Sequence, residues 1–377
     1  MRVAFLAVKN ILRGGGIEKY TLELGSRLVD RGHVVTVYSM THYGKTPPSI
    51  NGMKIIPVFS LRKPCLQKMT ASFSAALHTL RRHPFDIVHL HSVASGAFGF
   101  LPRWAGRSTV LQMHGIESQR TRWGKGGSTV LGLLERLSMK QAAAVTAVSK
   151  CQCEYLQDRY SCPVEYIPTA TEIGERLAPR EILRLGLKPG GYVLFVARLV
   201  QEKGADCLIR AFRNIRTDLQ LVIAGDSPGQ DEYKTVLRQL AAEDTRIIFP
   251  GYVEGRLLIE LFSNAYTYVQ PSRIEGLSIA LLEAMSYGRC CLVSDIPENL
   301  EPLAGTGYSF KTDDADDLAA KLKWLIENPK LVRAVENEVT NRVRQEYSWD
   351  VVTDKMLSLY DRTLSRQSRA APVAAHN

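Results

Sequence analysis

Strand-length apolar runs alternate with helix-length segments along most of this chain, and the pattern breaks once and then restarts. In the first half, Val3–Val8, Val34–Tyr38, Ile55–Val58, Ile87–Leu90, Val110–Met113 and Val145–Val148 read as strands. Between the first two, the segment Ile17–Val29 places Ile17, Tyr20, Leu24 and Leu28 on one helical face. Strands that alternate with helices form parallel sheets joined by crossover helices. The pattern breaks around Thr169 to Gly191, with Pro179, Pro189 and the pair Gly190-Gly191. It resumes with the strand Tyr192–Val196, the helix Ala205–Asn214, and strands Leu219–Ala224, Arg246–Phe249, Tyr266–Gln270 and Cys290–Val293. The expected fold class is α/β: two Rossmann-like, doubly wound domains facing a central cleft, with ligands at the C-terminal strand ends. The expected boundaries are 1–172 and 173–350.

A length of 377 residues suits two such domains. No apolar run approaches the ~18 residues of a membrane span. Met1–Val8 is too short for a signal peptide, lacks a cleavage region and runs into charges and glycines, so a buried first strand and a cytoplasmic protein are expected. Seven cysteines, an odd number without zinc-type C-x2-C spacing, read as reduced thiols. The net charge of +10 attracts polyanions or acidic membrane surfaces. Basic residues gather in the first half at Arg62, Lys63, Lys68, Arg81, Arg82, Arg103, Arg107, Arg120, Arg122 and Lys125, where solvated scatter is an equal alternative.

Glu275 and Glu283 stand eight residues apart in a polar turn that leads from a strand into an apolar helical run. A turn before a helix leaves free N–H groups at Gly276, Leu277 and Ser278, which with the helix dipole favour a bound phosphate. Were most of the interval helical, the two carboxylates would lie roughly 12 Å apart along the axis. That exceeds the ~5 to 9.5 Å of a glycosidase pair and suits gripping two ends of one long ligand. The string Pro271-Ser272-x-x-Glu275-Gly276, continuing to Leu282-Glu283-Ala284-Met285-x-x-Gly288, resembles the E-x7-E motif of retaining GT-B glycosyltransferases of glycosyltransferase family 4.

Other segments agree with that resemblance. Arg13-Gly14-Gly15-Gly16, between the first strand and helix, is similar to the family's glycine loop, which closes over the donor diphosphate. Gly15 and Gly16 are therefore donor-binding candidates, although a plain turn would read the same way. Arg198-Leu199-Val200-Gln201-Glu202-Lys203-Gly204 resembles the family's Gly-Arg-Leu-x-x-x-Lys-Gly, with Ala197 in place of the first glycine. An arginine fork and a compact lysine charge both suit phosphate. His114-Gly115 matches the family histidine facing the sugar hydroxyls, Asp226 its turn near the phosphates, and Val253 its position at the base. His89 and His91 share one strand face, and packing suits them better than a metal. Asp314-Ala315-Asp316 opens a helical run and reads as a cap rather than a metal motif. Where many relatives have Pro-Asn-Gly-x-Asp at the linker, this chain has Pro168-Thr169-Ala170-Thr171-Glu172. After the glutamate helix, Asp295-Ile296-Pro297-Glu298 likewise replaces a commoner Gly-Gly version.

The resemblance implies a retaining, metal-independent hexosyltransferase that takes its sugar from a nucleotide-diphosphate donor, a UDP-sugar above all. Glu275, Arg198, Lys203 and His114 would be catalytic. Gly276, Leu277, Ser278 and Glu283 would bind donor, with Glu283 on the ribose. No cofactor or metal is implied, because the nucleotide sugar is a co-substrate. A helix at about 351–364 would return to the first domain, and 366–377 would fray. Family habit points to a cell-envelope or lipid-linked acceptor, and the Arg120–Leu137 segment, with Trp123, suits peripheral contact with an anionic membrane. A hydrolase, epimerase or glycan phosphorylase on the same fold is the alternative. A non-catalytic polyanion or membrane-surface binder is a more distant one, and no nucleic-acid motif is present.

Overall fold

The computed structural model describes residues 1–12, 15–80, 85–116, 125–227, 229 and 231–370. Of the residues singled out above, Arg13, Gly14, Arg81, Arg82, Arg120, Arg122 and Trp123, and the side chain of Lys125, lie outside that description. The chain divides into two units, Met1–Thr169 with the segment from Trp349 onward, and Ala170–Ser348.

The first unit holds strands β1 Arg2–Val8, β2 Val34–Met40, β3 Ser49–Ile50, β4 Met53–Val58, β5 Ile87–His91, β6 Ser108–Met113, β7 Ala144–Ala147 and β8 Glu165–Tyr166. Its helices are α1 Gly16–Asp30, α2 Pro64–Thr79, α3 Ser92–Gly96, α4 Phe100–Trp104, α5 Lys125–Gln141 and α6 Lys150–Tyr160. The sheet order is β3-β4-β2-β1-β5-β6-β7-β8, parallel except for the β3–β4 hairpin. That hairpin turns on Asn51 and Gly52, both at positive φ. β1 is central and covered on both faces, so Val3, Ala4, Phe5 and Leu6 are all fully buried and read as a continuous apolar run.

The second unit carries β9 Tyr192–Val196, β10 Gln220–Ala224, β11 Ile247–Gly251, β12 Thr267–Gln270, β13 Cys291–Ser294 and β14 Tyr308–Phe310 in the order β11-β10-β9-β12-β13-β14. Helices α7 Glu181–Arg184, α8 Ala205–Arg213, α9 Asp231–Ala241, α10 Gly255–Asn264, α11 Ile279–Ser286, α12 Pro297–Leu303, α13 Ala315–Glu327, α14 Pro329–Ala334 and α15 Glu336–Glu346 complete it. All its strand pairs are parallel. Strand order reverses between β9 and β12, as it does between β1 and β5 in the first unit. At such a switch point neighbouring loops diverge and leave a crevice at the strands' C-terminal ends.

The final helix, α16 Trp349–Ala370, belongs to the first unit. Trp349, Val352, Met356 and Tyr360 form its buried stripe at helical spacing. It starts before the expected residue 351 and runs past 364, so residues 366–370 are helical rather than frayed, and 371–377 lie outside the description. The first crossing between units falls at Thr169–Ala170, three residues ahead of the expected boundary. The region up to Gly191 is no loose linker. Thr171 donates its N–H to the carbonyl of Tyr347 at 2.9 Å, and Ile182 and Leu187 are buried within the second unit. Strands β3, β8 and β14 are too short to show periodicity, which is why pattern alone passes over them.

Candidate active site

In the second unit, the loops after β9 and β12 meet at the switch point. Gly204 ends the first loop at φ +69°, and a Cβ there would lie 2.0 Å from the carbonyl oxygen of Pro271. Only glycine allows the Lys203 loop to approach the glutamate turn this closely. Lys203 donates to Glu275 Oε1 at 2.5 Å, and Gln270 Nε2 and Ser272 Oγ donate to the same oxygen at 2.7 Å each. The Glu275 side chain is 5% exposed, so its charge is neutralised by a cation and fixed by two neutral donors. Gln270 and Ser272 are the positioning residues that sequence reasoning missed, although their spacing before Glu275 was visible. Arg273 braces the same turn with a two-pronged contact to Asp206 at 3.0 and 3.1 Å. Burial acts to raise the Asp206 pKa, but hydrogen bonds from Arg273, Tyr233 and Arg210 outweigh it and hold the carboxyl well below the usual range.

The turn then passes into α11. Ser278 is its N-cap and accepts from the Leu281 N–H at 3.3 Å. The N–H groups of Leu277 and Ser278 make no hydrogen bond among the described residues. Because α11 begins only at Ile279, half of the Glu275–Glu283 interval is turn, and the helical spacing of roughly 12 Å does not apply. Glu283 lies on the second turn of α11. The Arg198 side chain is exposed and makes no ion pair or hydrogen bond among the described residues, which leaves its guanidinium fork available beside the paired Lys203. Ala197 keeps an ordinary negative φ, so the methyl that replaces the family's glycine causes no backbone strain.

Asp226 is already engaged. It accepts from Lys234 at 2.9 Å and from the Ser227 N–H at 2.7 Å, and the Lys234 contact is the larger cause of its lowered pKa. Val253 is buried just beyond β11, beside the exposed Tyr252. Asp314 caps α13 by accepting from the N–H groups of Asp316 and Asp317, so its carboxylate serves the helix.

In the first unit, Gly15 is the extended N-cap of α1 and Gly16 its first residue. A Cβ on Gly15 would lie 2.2 Å from Glu18 Oε2, and Glu18 also accepts from the Lys9 N–H at 3.2 Å. The start of α1 thus already faces its own carboxylate, which weakens the electrostatic case for a diphosphate there.

His114 follows β6 and meets a buried chain. Thr21 Oγ donates to the Ile17 carbonyl at 2.8 Å and lies 3.0 Å from His91 Nε2. With its one proton spent, Thr21 accepts, so His91 carries its proton on Nε2 and accepts on Nδ1. Nδ1 lies 3.0 Å from His114 Nε2, which must then be the donor. His114 Nδ1 is left as an unprotonated acceptor with no partner among the described residues. Burial pushes His89 and His114 down to about 3, and His91 well below its ordinary value. We expect nitrogen-15 spectra to show His91 and His114 as Nε2–H tautomers, and Thr21→Val to mix them at a stability cost of about 1 kcal/mol. A wild-type His114 protonated on Nδ1 would contradict this chain.

Two Rossmann-like parallel-sheet units, the second with this charged switch-point turn, define a GT-B glycosyltransferase. The chain belongs to glycosyltransferase family 4. Residues 14–174 match the family model described as Glycosyltransferase Family 4, and residues 185–342 match Glycosyl transferases group 1. The phosphatidyl-myo-inositol mannosyltransferase of Mycolicibacterium smegmatis is 23% identical over 371 residues, 96% of this chain and 94% of its own. Sucrose-phosphate synthase from Thermosynechococcus elongatus shares the fold with a TM-score of 0.85 at 20% identity, covering 97% of this chain and 99% of that one. Anabaena HepE, solved in complex with UDP and glucose, gives 0.80 at 15% identity over 96% and 100%.

Proposed function

We infer that this glycosyltransferase is retaining and metal-independent, and moves a hexosyl group from a UDP-sugar to a cell-envelope or lipid-linked acceptor at the cytoplasmic membrane face. The observation that carries the reading is Glu275, held by Lys203, Gln270 and Ser272 immediately before the N–H groups of Leu277 and Ser278, which have no partner among the described residues. In this reading Glu275 and those N–H groups, with Gly276, hold sugar and phosphate, Glu283 binds the ribose, and Val253 meets the base. As the bond from the anomeric carbon to the phosphate oxygen breaks, charge develops on the diphosphate. Arg198 stabilises it, together with Lys203, which has three N–H donors and uses one on Glu275. The departing oxygen takes the acceptor's proton, and the acceptor oxygen bonds the same face of the sugar. His114, an acceptor at Nδ1, orients a sugar hydroxyl.

The UDP-bound HepE structure supports the choice of donor, and the name of the mycolicibacterial relative supports a lipid acceptor. No described helix is long and apolar enough to cross a membrane. The test is a screen of UDP-, GDP- and ADP-sugars by released nucleotide, with and without chelator, followed by the product's anomeric configuration. Turnover that needs added Mn²⁺, or an inverted product, would overturn the reading. Glu283→Ala should weaken UDP binding about tenfold or more with a smaller change in kcat, because a ribose contact persists from ground state to transition state. Unchanged UDP affinity would remove Glu283 from the ribose.

A further inference from the structure

Helix α2 is turned inside out. Its sheet-facing positions are small, with Ala71, Ser72, Ala75, Ala76 and Thr79 fully buried. Its large apolar residues, Leu66, Phe73 and Leu77, point outward, followed by Leu80 at the C-cap, each about 40% exposed. Their spacing forms a single stripe. Phe59 and Phe98 complete an apolar groove of about 480 Å³ along it. Helix α5 also leaves Val130, Leu133 and Leu137 exposed, while Met139 and Leu134 pack inward. Both helices bury their inner faces in the same core, α2 through its alanines and α5 through Met139, and α3 touches both. The two stripes therefore face away from one helical layer. With the inner face filled by small side chains, the leucines and phenylalanine are left in water, an apolar surface that calls for a cover.

The charge around the stripes identifies what covers them. Residues 31–116 contain ten Lys or Arg and a single acid, Asp86, while the rest of the chain holds 38 basic and 37 acidic residues. Nearly all of the protein's net charge thus comes from this stretch; within it Asp86 is occupied by Arg2, and Arg31 is paired with Asp354 of α16. Arg62 and Lys63 are exposed just before α2, and Arg136 and Lys140 are exposed on α5. The layer's exposed acids among the described helices, Glu154 and Asp158, are confined to α6. A protein partner would ordinarily meet mixed charge, whereas an apolar stripe fringed by cations matches hydrocarbon beneath a plane of phosphates.

We propose that the α2–α5 layer seats the first unit on an anionic lipid bilayer, with the α2 stripe at the acyl boundary and Arg62, Lys63, Arg136 and Lys140 on lipid phosphates. This gives the membrane-borne acceptor proposed above a docking surface, and rests on that reading for its purpose. The test is cosedimentation of the full chain with vesicles of phosphatidylcholine alone or of equal parts phosphatidylcholine and phosphatidylglycerol, at low and high salt. The protein should pellet with anionic vesicles at low salt and not with neutral ones. Arg62→Glu with Lys63→Glu should cut binding on the order of tenfold while leaving the unfolding midpoint unchanged, and Phe73→Glu with Leu77→Glu should cut it at least as far with a cooperative unfolding transition retained. Leu183→Glu, an exposed position in the second unit, should bind as wild type. Equal pelleting with both vesicle types, or none, overturns the proposal. So does a wild-type dimer that Phe73→Glu with Leu77→Glu converts to a monomer without any vesicle binding, since the face would then be a self-association surface. UDP release in lipid-free buffer separates the two readings. Turnover retained by a non-docking variant leaves the transferase intact, and vesicle binding by a wild type that releases no UDP from any UDP-sugar, with or without vesicles, sinks the UDP-donor reading alone.

Discussion

Arg198→Ala is expected to slow transfer roughly 100- to 1,000-fold, the loss that follows removal of one donor from a developing oxyanion. The fold should not notice, because the Arg198 side chain is exposed and makes no ion pair or hydrogen bond among the described residues. Lys203→Ala should slow transfer comparably and also destabilise the second unit. Among the described residues its ammonium is the only cation bonded to Glu275, a side chain 5% exposed. Stripping one partner from a buried pair leaves an uncompensated charge and costs about 3 kcal/mol or more. Released nucleotide measures the first effect and urea unfolding the second. Full activity in Arg198→Ala would move leaving-group stabilisation elsewhere, and a wild-type urea midpoint in Lys203→Ala would show that the pair does not support the turn.

The second large effect is acid instability that begins unusually early. His89 and His91 are almost wholly buried, and burial lowers both from an ordinary value of 6.5, His89 to about 3. Their folded pKa lies below the unfolded one, so between those values the unfolded chain binds protons that the folded chain refuses. Stability from His89 is fully present above 6.5 and is lost as pH falls from there towards 3, by about 1.4 kcal/mol per pH unit, and the depressed His91 and His114 act in the same direction. The depressed carboxyl of Asp206 acts in a lower window, below its ordinary 3.8. A fall in unfolding free energy already between pH 6.5 and about 4.5 is therefore the histidine signature. Replacing His89 with Gln should flatten the slope by about 1.4 kcal/mol per pH unit. A stability that stays level across that window would mean that the folded protein accepts protons at these rings.

The glutamate turn was legible because its chemistry is local. Pro271 to Ser278 lies within one strand–turn–helix unit, and the order of residues alone puts Glu275 ahead of free N–H groups. The Arg198–Lys203 loop was legible for the same reason. Its pairing was not. Lys203 and Glu275 are 72 residues apart, and only the β9–β12 adjacency brings them to 2.5 Å. The histidines divide in the same way. The alternation of a strand puts His89 and His91 on one face, but the proton order from Thr21 through His91 to His114 needs three separate elements packed together. The glycines of the first loop promised an anion site, and the fold set the Glu18 carboxylate against them.

What the sequence by itself determined is the alternation of buried strands and helices, the restart at Tyr192, and the residues at each strand end, because hydrophobic period and turn chemistry act over a few residues. Strand order, the partners of each charge, and which face of a helix meets solvent were decided only in three dimensions. Helix α2 shows this most plainly. Leu66, Phe73 and Leu77 share one helical face, but the space above β1, β2 and β4 is filled by alanine- and serine-sized side chains, so the leucines and phenylalanine are turned outward. A sequence records that a stripe exists, and the volume left by the neighbouring elements decides where it points.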